Sequence, residues 1–397
     1  NIELGTVILL SLIQLFLIMS GIYIHIPFCK QACSYCDFYF VTKPDNKNAF
    51  VDALIEEIRS KKNTFYSSDV IDTIYFGGGT PSLLTIPQFD KIFSALNDTF
   101  NTQLKEVTVE LNPDDVTKEY LAGLKSLGVN RVSMGVQTFD EELLLFMNRT
   151  HNSAEALKCL ELLKASDINV FTADLIYGNP GQTLKMLEKD LDILLQFDPP
   201  HVSAYSLTIE PKTRLGKQLE LGRLIPAEDE TVEKHFELVE EKLKQKDIHR
   251  YEVSNFAKTG SEALHNSNYW EHKNYLGLGP GAHSFWWDRS LKTAYRWENE
   301  PDLKNYLQTK DFNEPSKERL TLQHLAEERI MLGLRTVKGI DLKVLEAKYD
   351  YCLTEEQIAC LAQKESEGKI LFDTNAIRLT STGLKIADAL TLDILTA

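Results

Sequence analysis

Three cysteines crowd together near the start of the chain. They are Cys29, Cys33 and Cys36, in the stretch His25-Ile26-Pro27-Phe28-Cys29-Lys30-Gln31-Ala32-Cys33-Ser34-Tyr35-Cys36-Asp37-Phe38. The Cys-x3-Cys-x2-Cys spacing puts three thiolates on one short loop, and thiolate is the ligand type that an iron–sulfur cluster needs. Three thiolates can hold three irons of a 4Fe–4S cube. The fourth iron is then open to a small molecule. The competing readings are zinc, with His25 as a fourth ligand, and plain buried thiols. A structural zinc site usually shows two paired ligand groups, and the sequence offers no second pair.

A second set of chemically able residues recurs at regular places along the chain. Gly77-Gly78-Gly79-Thr80-Pro81 is one. Glu110-Leu111-Asn112-Pro113 is another, and Gly135-Val136-Gln137 a third. Asp174 is followed by Tyr177-Gly178-Asn179-Pro180-Gly181, and Thr208-Ile209-Glu210-Pro211 comes last. Glycines permit positive φ and close approach of a ligand to backbone. Each member also has a plain alternative. A carboxylate or amide at a strand end can simply satisfy backbone donors, and Arg149 can be a surface charge.

What unites these residues is the elements that must carry them. Strands are expected at Ile22–Ile26, Ile71–Phe76, Glu106–Leu111, Arg131–Val136, Asn169–Ile176 and His201–Leu207. Apolar residues at helical spacing fall between them, for example Phe50, Leu54, Ile55 and Ile58, or Phe89, Ile92, Phe93 and Leu96. Strands alternating with helices predict repeated βαβ units and a parallel sheet. The fold class is therefore α/β, an open or partial six-stranded barrel. In such a barrel, function collects at the C-terminal ends of the strands. The cysteine loop follows the first strand, and polar or glycine-rich residues end every other strand at the same edge.

The remaining chain divides by composition. Residues 212–315 are expected to be a linking region dense in aromatics and histidine, with a charged helix at Ala227–Lys246 and all four tryptophans. Residues 316–397 are expected to form a helical domain ending in a small hairpin, Lys369–Phe372 and Ile377–Thr380, and a final helix. That order resembles a winged-helix module. Residues 21–211 are the barrel. Residues 1–20 are read as an upstream segment, with Met19 as the natural start. Val7–Ile18 is apolar but shorter than the ~20 residues of a membrane span, and it lacks the basic flank of a signal peptide. A membrane anchor is the rival reading.

The chain of 397 residues carries 43 Lys and Arg against 58 Asp and Glu, a net charge of −15. A nucleic-acid partner is not expected, because no basic face is available. Cys159, Cys352 and Cys360 are scattered, so the six cysteines are not a disulfide scaffold. An iron–sulfur site calls for a reducing compartment, and the cytosol is the expected location. Homodimerisation is left open. Membrane contact is expected only through a recipient protein.

With those motifs in place, the chain resembles the radical S-adenosylmethionine (SAM) superfamily. Within it, the span from Gly21 onward is similar to the coproporphyrinogen-dehydrogenase-like group. The markers are Tyr23-Ile24-His25-Ile26-Pro27-Phe28-Cys29, Phe76-Gly77-Gly78-Gly79-Thr80-Pro81-Ser82, Glu110-Leu111-Asn112-Pro113, Gly135-Val136-Gln137-Thr138-Phe139 and His265-Asn266-Ser267-Asn268-Tyr269-Trp270. The resemblance implies a 4Fe–4S cluster on Cys29, Cys33 and Cys36. It implies SAM held by Tyr23, Gly77, Gly78, Gly79, Thr80, Glu110, Gln137, Arg149 and Asp174. One electron passed from the cluster to the sulfonium would give a 5′-deoxyadenosyl radical. The group's porphyrinogen-oxidising members carry a fourth cysteine two residues after the third and a longer leader. This chain has Phe38 there, and its motif starts almost at Met19. Both departures favour a haem chaperone delivering haem to acceptor proteins over an oxidative decarboxylase. His265 is the implied haem contact, with a buried core histidine as the alternative. His25 and His283 are read as structural.

Overall fold

The computed structural model describes residues 19–288, 291–312 and 316–397. The upstream segment 1–18 lies outside the described residues. Six parallel strands follow one another in sequence and in space: β1 Met19–Ile26, β2 Val70–Gly78, β3 Asn101–Leu111, β4 Arg131–Gln137, β5 Val170–Tyr177 and β6 His201–Ser206. Helices α1 Lys47–Ser60, α2 Ile86–Thr99, α3 Lys118–Ser126, α4 Glu141–Phe146, α5 Ser153–Lys164 and α6 Leu184–Leu195 lie between them. β1 begins at Met19, earlier than expected, because Met19 and Ser20 pair with Val70 and Ile71 and the Ser20 hydroxyl donates to Asp69 at 2.6 Å. Met19 and Ser20 therefore belong to the barrel.

Side chains alternate across a strand, so each strand of this sheet presents two different faces. Val107, Val109 and Leu111, then Val132, Met134 and Val136, then Phe171, Ala173 and Leu175 join one apolar core. Their neighbours Thr108 and Glu110, Arg131 and Ser133, Thr172 and Asp174, and His201 and Ser203 all line one cavity on the other face. Burial of the apolar set, about 25 cal/mol per Å² removed from water, fixes the register. That register aims the polar set inward as a block, since a slip of one residue would exchange the two faces.

Residues 212–315 do not form a separate linker. After α7 Arg214–Glu220 and α8 Asp229–Lys244, they continue the same sheet at both edges. β7 His249–Arg250 and β8 Asn255–Ala257 extend it beyond β6, while β9 Tyr275–Leu278 runs parallel to β1. β10 His283–Asp288, β11 Thr293–Glu298 and β12 Glu318–Leu320 follow β9 outward, giving twelve strands among the described residues. The aromatic density that set this region apart has a packing cause. On β10, Trp286 joins the barrel core while Phe285 and Trp287 join the core of the C-terminal module. Between β8 and β9 sits α9 Leu264–Trp270, which packs on β1 and β2. Its first amides, Leu264 and His265, are satisfied by the Glu106 carboxylate at 2.8 and 3.0 Å, an anchoring that a helix N-terminus requires.

The C-terminal module follows α10 Leu303–Gln308. It contains α11 Leu322–Leu334, β13 Ile340–Asp341, α12 Leu342–Tyr349, α13 Glu355–Ser366, β14 Ile370–Phe372, β15 Ala376–Leu379, α14 Ser381–Leu384 and α15 Ala387–Thr396. β14 and β15 form the expected hairpin and β13 completes a three-stranded antiparallel sheet. Among the described residues, no helix is long and apolar enough to cross a membrane.

Candidate functional site

The cysteine loop is tied down at both ends and in its middle. Cys29 N–H donates to Val41 O at 3.0 Å, and Val41 N–H returns to Pro27 O at 2.7 Å. Gly79 N–H donates to Ile26 O at 2.8 Å and Thr80 N–H to Phe28 O at 2.7 Å. The Gly-Gly-Thr stretch therefore spends two amides on holding the loop beside the end of β2. Ser34 N–H reaches Met147 O at 2.9 Å, and the Asn148 amide donates to Ala32 O at 2.7 Å. All three thiols are half-buried and free.

Donors point at two of the sulfurs. The Thr80 hydroxyl lies 3.5 Å from Cys29 Sγ, and Arg149 Nη1 lies 3.4 Å from Cys33 Sγ. Burial pushes the Cys29 thiol up to about 11 and the Cys36 thiol up to about 12. At Cys29 and Cys36 burial therefore favours the protonated thiol, and a bound cation would offset the cost of burying charge there. Among the described residues no three His, Cys, Asp or Glu side chains converge on one metal ion. A four-iron cube takes one thiolate on each of several irons. His25 is occupied elsewhere: its Nε2 pairs with Tyr39 O at 2.8 Å and its Nδ1 with Tyr23 Oη at 3.2 Å. The donor set fits the cluster better than zinc.

Next to this loop opens a cavity of about 520 Å³. Cys33, Cys36 and Thr80 line one side, and Glu110, Gln137, Arg149 and Asp174 line the others. Glu110 accepts from Tyr75 Oη at 2.8 Å. Burial raises its carboxyl to about 7, against the lowering effect of the Tyr75 and Gly78 hydrogen bonds. Asp174 accepts from Ser133 Oγ at 3.1 Å and is raised by burial to about 6. Arg149 Nη2 donates to Gly135 O at 2.9 Å and to Asn112 Oδ1, and its Nε is buried without a partner. A Cβ at Gly135 would fall 2.8 Å from Gln137 Nε2 and 3.1 Å from Arg149 Nη2, so the glycine makes room for both. Gln137 itself takes φ +66, an uncommon conformation for a residue with a side chain.

Not every expected residue enters this cavity. Tyr23 faces a neighbouring cleft and stacks on Tyr75 with ring centroids 6.1 Å apart. Gly77 and Gly79 shape the wall from behind rather than line it. A Cβ on Gly77 would meet Glu110 Oε1 at 3.0 Å, and one on Gly79 would meet Phe28 O at 2.7 Å. His265 is buried, and both ring nitrogens are taken: Nδ1 by the Thr73 hydroxyl at 2.9 Å and Nε2 by the Tyr269 hydroxyl at 2.8 Å. Burial pushes its imidazole down to about 3. The geometry is that of a satisfied core histidine, and iron cannot reach it unless Tyr269 or Thr73 withdraws. Sequence reasoning missed Thr108, Arg131, Ser133, Thr172, His201 and Ser203. Their signal was strand alternation: Thr108 and Thr172 sit two residues before Glu110 and Asp174, and Arg131, Ser133, His201 and Ser203 fall on the same alternating face.

Comparison with known proteins agrees with this construction. Residues 23–194 match the radical SAM superfamily and residues 320–386 match the HemN C-terminal domain. "Heme chaperone HemW" of Bacillus subtilis (strain 168) is 36% identical over 375 residues, covering 92% of this chain and 96% of that protein. The chain belongs to the HemW family. Its namesake in Lactococcus lactis is 34% identical, covering 93% and 95% of the two chains. "Radical S-adenosyl methionine domain-containing protein 1, mitochondrial" of Danio rerio is 30% identical, covering 95% and 87%. Among solved structures, the coproporphyrinogen III oxidase HemN of Escherichia coli superposes with a TM-score of 0.78 at 21% identity, covering 95% of this chain and 90% of that one. That likeness carries the fold: an α/β partial barrel followed by a helical C-terminal module.

Proposed function

We propose that this protein is a haem chaperone. It holds a 4Fe–4S cluster on Cys29, Cys33 and Cys36, binds SAM in the adjoining cavity, and passes haem to acceptor proteins in a reducing compartment such as the cytosol. One arrangement carries the proposal: the half-buried three-cysteine loop, through Cys33 and Cys36, borders a cavity whose other walls hold Glu110, Asp174 and Arg149. When bound, the cluster and SAM supply one-electron chemistry at the sulfonium. The chain's own residues bind and orient. The Glu110 carboxylate suits an ammonium, the Arg149 guanidinium a carboxylate and the Asp174 carboxylate a pair of ribose hydroxyls. Thr80 and Arg149 aim donors at the thiolate sulfurs, which tunes a cluster's charge.

Phe38 supports the chaperone over an oxidase. It stands where the porphyrinogen oxidase has its additional cysteine, and its ring is 68% exposed at the cavity rim. The test is one anaerobically reconstituted sample assayed side by side for haem transfer to an apo-haem protein and for SAM cleavage. Haem transfer is the expected result. Oxidation of coproporphyrinogen III with SAM and reductant would replace the chaperone assignment. Zinc without a paramagnetic signal after reduction would remove the cluster.

A further inference from the structure

Ser34, between the second and third cysteines, is held from two sides. Its N–H donates to Met147 O at 2.9 Å, just past α4, and its carbonyl accepts from Leu215 N–H of α7 at 3.0 Å. α7 therefore lies directly against the cysteine loop. The Thr213 hydroxyl caps the helix by accepting from Gly216 N–H at 3.1 Å, and a Cβ on Gly216 would fall 2.2 Å from Glu210 O. Leu215 and Gly216 are buried in that contact, whereas Arg214, Lys217, Leu219 and Glu220 are exposed. Gly222 and Arg223 N–H close the end of the helix on Leu219 O and Gln218 O, both at 2.9 Å.

The exposed side carries an unusual charge for this chain. Over residues 212–223, Lys212, Arg214, Lys217 and Arg223 stand against Glu220 alone, a local charge of +3 in a protein whose total is −15. All four cations are exposed, and none has an ion pair among the described residues. Exposed lysines elsewhere are neutralised: Lys234 pairs with Glu230, Lys364 with Asp393 and Lys385 with Glu233 and Glu237. Among the cations stand Leu219, Leu221 and Ile225, the last two 63% and 84% exposed. On the α4 side of the loop, Leu145 is exposed as well. The acidic start of α8, Glu228 to Glu230, bounds the patch.

We propose that α7 and its flanks are the docking surface for a small acidic electron-carrier protein that reduces the cluster. This rests on the cluster assignment above. A cluster that gives one electron to a sulfonium must first receive one, and α7 touches both the ligand loop and solvent. One electron leaves the partner's reduced flavin or iron–sulfur centre and enters the cluster, with no bond made or broken between the two proteins. The choice of partner follows from charge. Two acidic surfaces repel, so an acidic carrier meets this chain most favourably where the field reverses. Leucines among the cations supply the apolar centre that protein interfaces have; nucleic acid would leave them uncovered. Arg214 and Arg223 suit paired contacts with carboxylates.

The test is binding of an oxidised flavodoxin, a small acidic protein with one flavin, to the anaerobically reconstituted full chain by surface plasmon resonance. Association should slow as salt rises. Arg214→Glu with Lys217→Glu, and separately Lys212→Glu with Arg223→Glu, should each lower the association rate roughly tenfold or more, with iron per chain unchanged. Reduced flavodoxin should bleach the cluster more slowly in both double variants. Lys343→Glu, on α12 of the C-terminal module, should bind as the wild type does. Wild-type association in both double variants would overturn the proposal, as would a loss of binding that appears only with loss of iron. Binding to phosphatidylglycerol vesicles with no binding of flavodoxin would replace the carrier with a membrane surface. A wild-type chain that takes up no cluster would instead overturn the cluster assignment.

Discussion

Tyr75 donates its phenolic hydrogen to Glu110 at 2.8 Å, joining the ends of β2 and β3. Tyr75 also stacks on His265, centroids 5.2 Å apart, and lines both the cavity beside the cysteine loop and the neighbouring cleft. Tyr75 and Glu110 thus stand together at the boundary of the two spaces, and both side chains line each of them.

SAM binding should depend on pH through Glu110. Burial raises this carboxyl to about 7, so the charged form that suits an ammonium is present above that pH and lost below it. SAM affinity of the reconstituted protein, measured by equilibrium dialysis, should rise between pH 6 and pH 8. Tyr75→Phe removes a hydrogen bond that favours the carboxylate, so the rise should move to higher pH. A flat profile in both proteins would take Glu110 out of ligand binding.

Arg149→Lys should cost about 1–3 kcal/mol, because lysine cannot span Cys33, Gly135 and Asn112 with a planar fork. Thermal unfolding reads the stability, and iron per chain after reconstitution reads the site. Cys33 should lose iron occupancy in step. Unchanged iron content would mean that Arg149 braces the barrel only.

Two glycines with positive φ separate strain from crowding. Gly78 sits at φ +101, and a Cβ there would lie 2.5 Å from the His25 ring. Gly181 sits at φ +77 with nothing within 4 Å. Gly181→Ala should cost about 1 kcal/mol from backbone conformation alone. Gly78→Ala should cost about 1–3 kcal/mol more through overpacking. Equal shifts in Tm would show that His25 yields at no cost.

Glu252 should make the fold pH-sensitive away from the site. It is buried, its Oε2 has no hydrogen-bond partner, and burial raises it to about 7. The folded pKa exceeds the unfolded one, so its stabilisation is complete below about 4.5 and is lost as pH rises through 7. Glu252→Gln should therefore gain on the wild type by about 2–3 kcal/mol between pH 5 and pH 8. A constant difference in Tm across that range would contradict the buried, raised carboxyl.

The six barrel strands were legible because their apolar runs alternate with helical periods, and the site's edge was legible because polar residues end those strands. The inner face was not read, although Thr108, Ser133 and Thr172 stand two residues before Glu110, Gly135 and Asp174. The continuous sheet was hidden as well. β9 is four residues long and β7 two, too short to show a period, and the pairings of β9 with β1 and of β8 with β6 are set by tertiary contact. The surroundings of His265 were hidden for a similar reason. Its neighbours in sequence, Tyr269 and Trp270, suggest a ligand platform, but Thr73 and Glu106 arrive from distant strands and make it part of the core.

β1 carries the cysteine loop, and β1 has β2 on one side and β9 on the other. During synthesis β2 leaves the ribosome soon after β1, while β9 follows only once the first six strands are complete. Until then one edge of the cluster-bearing strand has no neighbour, and Gly279, whose amide binds Glu57 and which packs on the His25 carbonyl, is absent. A barrel truncated before β9 therefore lacks the strand that pairs with β1 behind the cysteine loop.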